Sequence, residues 1–133
     1  MRYLLDTNTI IFALKDAKGR SALRIGQVPH NDVIVCAVVE AELYHGATKY
    51  DLPTRRKVML DAFLQPFQSL PFDSACVPAY ARIRDNLERR GQIIGGNDLM
   101  TAAIALTHDL AVVTHNCGEF HRVPGLRVED WST

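Results

Sequence analysis

Short apolar segments alternate along the chain with longer segments in which apolar residues recur at helical spacing. Residues 3–5, 32–36 and 110–114 have the length and composition of strands buried on both faces, and residues 126–128 are typical of an edge strand. Leu70, bracketed by two prolines, predicts a short strand or an extended link. Strands that alternate with helices build parallel sheets covered on both sides. The sequence therefore predicts a three-layer α/β domain with a mostly parallel central sheet.

Helices are predicted between these strands from their starting residues and apolar stripes. Thr7 and Asn8 begin the first helix, and Pro53 begins another at the position where proline is favoured. Asp73 is expected to cap a long helix that ends at residues 89–91, where two arginines precede a glycine. The remaining helices are predicted over residues 22–28, over residues 37–47 and from residue 97 onward.

The size and composition of the chain restrict its class. It has 133 residues, of which 47% are hydrophobic, and shows neither repeats nor a linker, so we expect a single domain over residues 1–133. No apolar run approaches the ~20 residues that cross a bilayer. Asp6 interrupts the first apolar stretch too early for a signal peptide, so we expect a cytoplasmic protein. The cysteines and most of the histidines are too scattered for a zinc or redox motif: Cys36, Cys76, Cys117, His45, His108, His115 and His121.

The charge balance sets a condition on any polyanionic ligand. Lysines and arginines number 15, aspartates and glutamates also number 15, and the formal net charge is zero. A domain that binds nucleic acid through a basic surface alone usually carries an excess of positive charge. A polyanion would therefore require a local basic patch, a bound cation or a basic partner.

Acidic and amide residues follow the predicted strands at one edge of the sheet, which is where open α/β sheets bind their ligands. Asp6 ends the first strand, Glu42 lies on the helix after the second, and Asp98 begins the helix before the last buried strand. Polar residues also follow that last strand: Thr114, Asn116 and Glu119. Glu40 lies two residues from Glu42, on nearly the opposite helix face, and is interpreted as a surface charge.

Several carboxylates packed together repel one another, and a hard divalent cation removes that cost. Mg²⁺ and Mn²⁺ prefer oxygen ligands and can activate water for attack on a phosphodiester, so the pattern predicts a Mg²⁺ or Mn²⁺ site. Taken singly, Asp6 and Asp98 could each be a helix cap and Glu119 an ordinary loop charge. The prediction depends on their convergence.

Four motifs occur in an order that resembles a known family. They are Asp6-Thr7-Asn8, Glu42-Leu43 followed by Gly46, Gly95-x-x-Asp98, and Val112-Val113-Thr114-x-Asn116-x-x-x-Phe120. The chain resembles the PIN-domain ribonucleases over nearly its whole length, and in particular the VapC toxins of toxin–antitoxin pairs. The resemblance implies a metal-dependent endoribonuclease that cuts structured RNA, with tRNA the expected substrate. It also implies a homodimer and inhibition by a VapB-type antitoxin.

The resemblance assigns roles residue by residue. Asp6, Glu42 and Asp98 match the three core acidic positions that bind Mg²⁺ or Mn²⁺. Asn116 departs from the pattern, since many members have a fourth aspartate there, and this weakens the case for two tightly held metals. Its amide oxygen can still orient a metal-bound water, and Glu119 is expected to compensate in part. Two polar residues match positions that support the acidic cluster by hydrogen bonding: Asn8 and Thr114.

Phosphate contacts are expected from a basic run on one predicted helix, made of Arg55, Arg56 and Lys57. Two other functions are weighed against the nuclease. A catalytically degenerate PIN domain that binds only RNA or protein is supported by the neutral Asn116. An aspartyl phosphotransferase would need an acid two residues after Asp6, where Asn8 stands, and a lysine beyond Asp98, whereas Lys57 is the last lysine.

Overall fold

The computed structural model describes residues 1–49 and 52–133, in which five strands alternate with seven α-helices. The strands are β1 (Tyr3–Leu5), β2 (Val33–Cys36), β3 (Gln68–Leu70), β4 (Ala111–Val113) and β5 (Val128–Glu129). The helices are α1 (Thr7–Lys15), α2 (Arg20–Gln27), α3 (Ala37–Ala47), α4 (Pro53–Leu64), α5 (Val77–Arg89), α6 (Gly96–Thr107) and α7 (Cys117–Phe120). Short 3₁₀ turns at His30–Asp32 and Ser74–Cys76 precede β2 and α5.

The strands form one sheet in the order β3-β2-β1-β4-β5, and every pair of neighbours is parallel. The chain builds outward from the central β1 through β2 to β3 and then returns to add β4 and β5 on the other side. All carboxyl ends therefore lie at one edge, and the strand order reverses between β1 and β4. Ligands of open α/β sheets bind at such a reversal.

The core consists of the strands and the helix faces packed on them. Leu4, Val33, Ile34 and Val112 have no solvent-exposed surface, because parallel strands are covered on both faces. Between the helices, α5 packs on α6, α1 on α2, and α3 on both α4 and α6. The predicted three-layer α/β architecture with a parallel sheet is confirmed.

Most predicted elements agree with the structure to within two residues at each end. The strand at residues 3–5 and the helix at residues 37–47 have the predicted bounds. The last strand begins two residues after the predicted start at residue 126, because Val112 of β4 pairs with Val128. Leu126 remains in a turn, in which its backbone N–H donates to the Val123 carbonyl.

Two predictions about helices are wrong. Asp73 precedes a 3₁₀ turn, and α5 begins only at Val77. The ring of Pro78 would clash with the carbonyl of residue 74 in a regular helix begun there, whereas it fits the first turn of α5. The segment at residues 117–120, predicted as a loop, is the short helix α7. Its four residues are too few for a periodic signal.

None of the helices in the described part of the chain has both the length and the hydropathy that a membrane span requires.

Candidate active site

A buried hydrogen bond joins the ends of the two strands at the reversal. The β1–β4 register pairs Leu5 with Val113, which brings Asp6 beside Thr114. The backbone N–H of Asp6 donates to the Val113 carbonyl over 2.9 Å, and the Thr114 hydroxyl donates to Oδ2 of Asp6 over 2.9 Å. Thr114 is fully buried and Asp6 is only 5% exposed. The Asp6 carboxylate is therefore fixed by two neighbouring strands before any ligand binds.

Burial dominates the electrostatics of Asp6. Desolvation raises the pKa of this carboxyl above its usual range, although hydrogen bonds from the Thr7 backbone and the Thr114 hydroxyl favour the charged form. The negative charges of Glu42 and Glu119 raise the pKa of Asp6 further. These two groups therefore lie close enough to repel a charge at Asp6.

Glu42 reaches the site from the middle of α3. Its side chain is half-buried, and its Oε1 accepts a 2.9 Å hydrogen bond from the Thr7 hydroxyl. Thr7 directly follows Asp6, so the start of α1 both positions the Asp6 carboxylate and orients that of Glu42. Glu40 points elsewhere: it accepts a hydrogen bond from the Ser69 hydroxyl on β3. Its separation from Glu42 agrees with the prediction, but it is half-buried and hydrogen-bonded, not a fully solvated charge.

Asp98 lies in the first turn of α6, and its carboxyl is hydrogen-bonded to that of Glu119. Two carboxyl groups share a hydrogen bond only when one of them carries a proton. Burial, this hydrogen bond and the charges of Asp6, Glu119 and Glu42 raise the pKa of Asp98 to about 8. In the absence of a cation, Asp98 and Glu119 therefore share a proton.

Glu119 and Asn116 are placed by α7, which follows β4 after a short turn. The Asn116 backbone N–H donates to the Thr114 hydroxyl over 2.9 Å, and its amide Nδ2 donates to Oε2 of Glu119 over 3.3 Å. Thr114 thus accepts from Asn116 and donates to Asp6. This chain of hydrogen bonds fixes the segment after β4 against the end of β1.

Thr7 is the site residue that sequence reasoning missed. The sequence predicts Thr7 only as a helix-starting residue and gives the supporting roles to Asn8 and Thr114. In the structure Asn8 is exposed on the first turn of α1, while the Thr7 hydroxyl contacts Glu42. The position of Thr7 immediately after a strand-end aspartate is the signal that could have identified it.

Two grooves flank Glu42. One, of about 290 Å³, lies between α1, α3 and α4, with Arg56 and Glu42 among its polar residues and Leu14, Met59 and Leu60 among its apolar ones. The other, of about 550 Å³, includes His45, Phe72 and Asn97. Glu42 is the residue that lines both.

The three basic residues of α4 are not brought together at the site. Arg56 lines the smaller groove with Glu42. Arg55 lines a separate surface with Pro53 and Val58. Lys57 forms a 2.8 Å ion pair with Asp61 one turn along the helix. Arg56 is therefore the member of the run whose position favours contact with a ligand of the site.

The donor set of the site suits a hard cation. Asp6, Glu42, Asp98 and Glu119 supply only carboxylate oxygens, the ligands that Mg²⁺ and Mn²⁺ prefer. Within residues 1–49 and 52–133, no three His, Cys, Asp or Glu side chains form a ready-made coordination shell. Cys36 lies beneath the site, where burial raises the pKa of its thiol to about 11, so this sulfur stays protonated.

Comparison with known proteins connects this geometry to a family. The sequence profile of the PIN domain matches residues 3–126. The chain is 33% identical to Ribonuclease VapC2 of Rickettsia felis, with 98% of each chain covered, and 35% identical to the tRNA(fMet)-specific endonuclease VapC of Shigella flexneri, with 99% of each covered. Among solved structures it resembles the chain matched in DNA-bound VapBC2 of Rickettsia felis, with a TM-score of 0.92 and 32% identity over 98% of this chain and 99% of that one.

A second solved structure, DNA-bound VapBC from Salmonella typhimurium, gives a TM-score of 0.91 and 33% identity over 98% of both chains. The match in sequence and in structure therefore extends over nearly the full length of the chain. The carboxylates at the β1–β4 reversal belong to a scaffold that these relatives share, and the chain is a member of the PIN-domain family, within its VapC group.

Proposed function

We propose that this protein is a Mg²⁺- or Mn²⁺-dependent endoribonuclease that acts as the toxin of a VapBC-type pair. The observation that carries the proposal is the convergence of Asp6, Glu42, Asp98 and Glu119, in which the neighbouring negative charges help to raise the pKa of Asp6 and that of Asp98. In a protein that only bound RNA or a partner protein, this mutual repulsion would lower stability without serving a function. In a ribonuclease the same cluster would hold a divalent cation, which would relieve the repulsion and attract the scissile phosphate.

Asp6, Glu42 and Asp98 would hold the cation. When bound, it would neutralise the carboxylates, attract the scissile phosphate and promote ionisation of water. The protein supplies rigidity: Thr114 fixes Asp6 and Thr7 fixes Glu42, each through a 2.9 Å hydrogen bond. Such supporting bonds orient metal ligands.

Asn116 and Glu119 would orient the attacking water. The two side chains are joined by the 3.3 Å hydrogen bond from the Asn116 amide, and Glu119 is also bonded to Asp98. Glu119 would accept a hydrogen bond from this water once its carboxyl no longer shares a proton with Asp98. In this arrangement Asn116 keeps Glu119 in place, so a fourth aspartate is not required.

The substrate would be a structured RNA, and we propose tRNA. A full-length relative is named a tRNA(fMet)-specific endonuclease. We further propose that the protein is a homodimer in the cytoplasm. We also propose that a VapB-type antitoxin inhibits it, since the solved relatives include VapBC complexes. Arg56, in the groove beside Glu42, would contribute to phosphate binding in a protein with no net positive charge.

The proposal is tested by inducing the protein and its Asp6→Asn variant in a bacterial host and mapping new 5′ ends in total RNA. The matched control is Asp85→Asn, the same change at an exposed carboxylate that pairs with Arg89 on α5. We expect growth arrest and discrete new ends with the wild type and the control, and neither with Asp6→Asn. The same cuts with Asp6→Asn would contradict the proposal.

A further inference from the structure

Phe12 and His115 form an aromatic pair between α1 and the segment that follows β4. Their ring centroids lie 5.3 Å apart with an interplanar angle of 64°, an edge-to-face contact. Phe12 lies on α1, one turn beyond the exposed Asn8, and His115 lies between Thr114 and Asn116. The pair is therefore built from the two segments that carry the Asp6–Thr114 hydrogen bond.

Both rings are open to solvent although they contact each other. Phe12 is 37% exposed, and the side chain of His115 is 55% exposed. The contact with His115 therefore leaves part of the Phe12 ring uncovered. Exposed aromatic rings beside a phosphodiester-cleaving site are suited to unpaired bases, which stack on aromatic side chains.

The His115 ring is oriented by contacts to its Nδ1 atom. Its Nδ1 lies 3.1 Å from Oδ2 of Asp130 and 3.1 Å from the Ser132 hydroxyl. A carboxylate can only accept, so Nδ1 carries a proton, and in the tautomer with Nδ1–H the other ring nitrogen, Nε2, is an acceptor. Across residues 1–49 and 52–133, no side chain or backbone group hydrogen-bonds to Nε2. The ring is therefore held in one orientation, and its Nε2 remains available to a ligand.

We infer that Phe12 and His115 form a stacking platform for an RNA base next to the scissile phosphate, and that Nε2 of His115 accepts a hydrogen bond from that nucleotide. The inference rests on the proposed ribonuclease function. A stacking platform also suits the charge balance of the chain, because a protein with 15 basic and 15 acidic residues cannot rely on phosphate contacts alone for its affinity for RNA. Stacking on bases adds affinity that does not depend on net charge.

The test measures binding of a fluorescein-labelled single-stranded 12-nucleotide RNA of mixed sequence by fluorescence anisotropy. The parent is the full-length Asp98→Asn variant, in which RNA remains uncut. We expect Phe12→Leu, which keeps apolar volume but removes the ring, to weaken binding on the order of tenfold, and Phe12→Trp to preserve it. The same RNA made abasic at every position should bind the parent and Phe12→Leu equally.

A matched control exists at the opposite edge of the sheet. His30 and Phe67 form another edge-to-face pair, with centroids 5.6 Å apart, before the amino ends of β2 and β3. Phe67→Leu should leave RNA binding unchanged. The inference is overturned if Phe12→Leu binds the intact RNA as the parent does, if it weakens the intact and abasic RNAs equally, or if the parent binds no single-stranded RNA.

One outcome would assign the pair to a different partner. If Phe12→Leu leaves RNA binding intact but weakens binding of the antitoxin, the pair belongs to a protein interface and the inference is wrong. Failure of the ribonuclease proposal is recognised separately, because it is measured on the otherwise wild-type protein through the loss of cleavage in Asp6→Asn. If RNA cleavage requires Asp6 but is unchanged by Phe12→Leu, the stacking platform is overturned and the ribonuclease proposal stands.

Discussion

The hydroxyl of Thr114 donates a 2.9 Å hydrogen bond to Oδ2 of Asp6, and this contact joins the ends of β4 and β1 where the strand order reverses. Both residues are buried. Because the carboxylate is fixed by the sheet itself, the geometry of the site is set by strand register and not by a flexible loop.

Replacement of Thr114 by valine keeps the shape of the side chain and removes its hydroxyl. A buried carboxylate then loses a donor, so we expect a loss of about 1–3 kcal/mol in the free energy of unfolding. Metal affinity should also fall, by roughly 10–100-fold. Urea denaturation and calorimetric titration with Mn²⁺ measure the two effects.

Thr9→Val is the control for this change, since the buried Thr9 hydroxyl donates to the Val113 carbonyl over 3.0 Å and contacts no carboxylate. It should lower stability without changing metal affinity. Equal metal affinities of wild type and Thr114→Val would show that the Asp6–Thr114 bond plays no part in metal binding.

Thr7→Val removes the hydroxyl that orients Glu42. We expect RNA cleavage and Mn²⁺ affinity to fall roughly tenfold, as for other residues that support metal ligands, while Thr7→Ser retains both. Since Thr7 is half-buried, valine is tolerated there and a folded variant is expected. If Thr7→Ser and Thr7→Val behave alike in both assays, the hydroxyl is not what positions Glu42.

The metal-free protein should become less stable as pH rises from about 5.5 to above 8. The pKa of Asp98 is raised to about 8 in the folded state, whereas the pKa of an aspartate in the unfolded chain lies near its ordinary value of 3.8. Between these values the folded protein binds more protons than the unfolded chain, so stability falls with increasing pH. The contribution is fully present below pH 3.8 and is lost progressively until the pH has passed through about 8.

Urea midpoints measured at pH 5.5 and 8.5 in EDTA test this dependence, with Asp98→Asn as the reference. The asparagine variant should lack the Asp98-dependent part of the decrease, and Mg²⁺ should reduce the decrease in the wild type. A wild-type protein whose midpoint rises between these pH values relative to Asp98→Asn would contradict the assignment of the shared proton.

Asn116→Asp replaces the donor to Glu119 by a further negative charge. We expect the metal-free protein to lose on the order of 1 kcal/mol of stability through like-charge repulsion. Saturating Mn²⁺ should restore it, because the added carboxylate is then neutralised. Asn116→Ala, which removes the donor without adding charge, should show no such metal-dependent recovery. Thermal unfolding with and without Mn²⁺ distinguishes the two variants.

The sequence predicts the sheet and the edge at which the four carboxylates lie for one physical reason. Strands that are apolar on both faces are recognisable, and the residue after each one must emerge at the same edge of a parallel sheet. Asp6 follows β1 directly, and Asp98 and Glu42 lie in the helices next to that edge. Their convergence follows from topology without knowledge of side-chain contacts.

What the sequence could not predict depends on short segments and on side-chain orientation. The position of Glu119 against Asp98 is set by α7, which has four residues and no periodicity. The difference between Thr7 and Asn8 is a matter of which side chain faces Glu42 from the first turn of α1. The Phe12–His115 contact joins residues 103 positions apart and has no local signal at all.

The central claim, that the carboxylates form a metal-dependent ribonuclease centre, is tested most directly by a time course of bulk tRNA cleavage with the purified protein in Mn²⁺ and in EDTA. The account predicts discrete fragments from the wild type in Mn²⁺, none in EDTA, and none from Asp98→Asn in either buffer. Fragments that persist in EDTA, or that Asp98→Asn produces in Mn²⁺ at the wild-type rate, would contradict it.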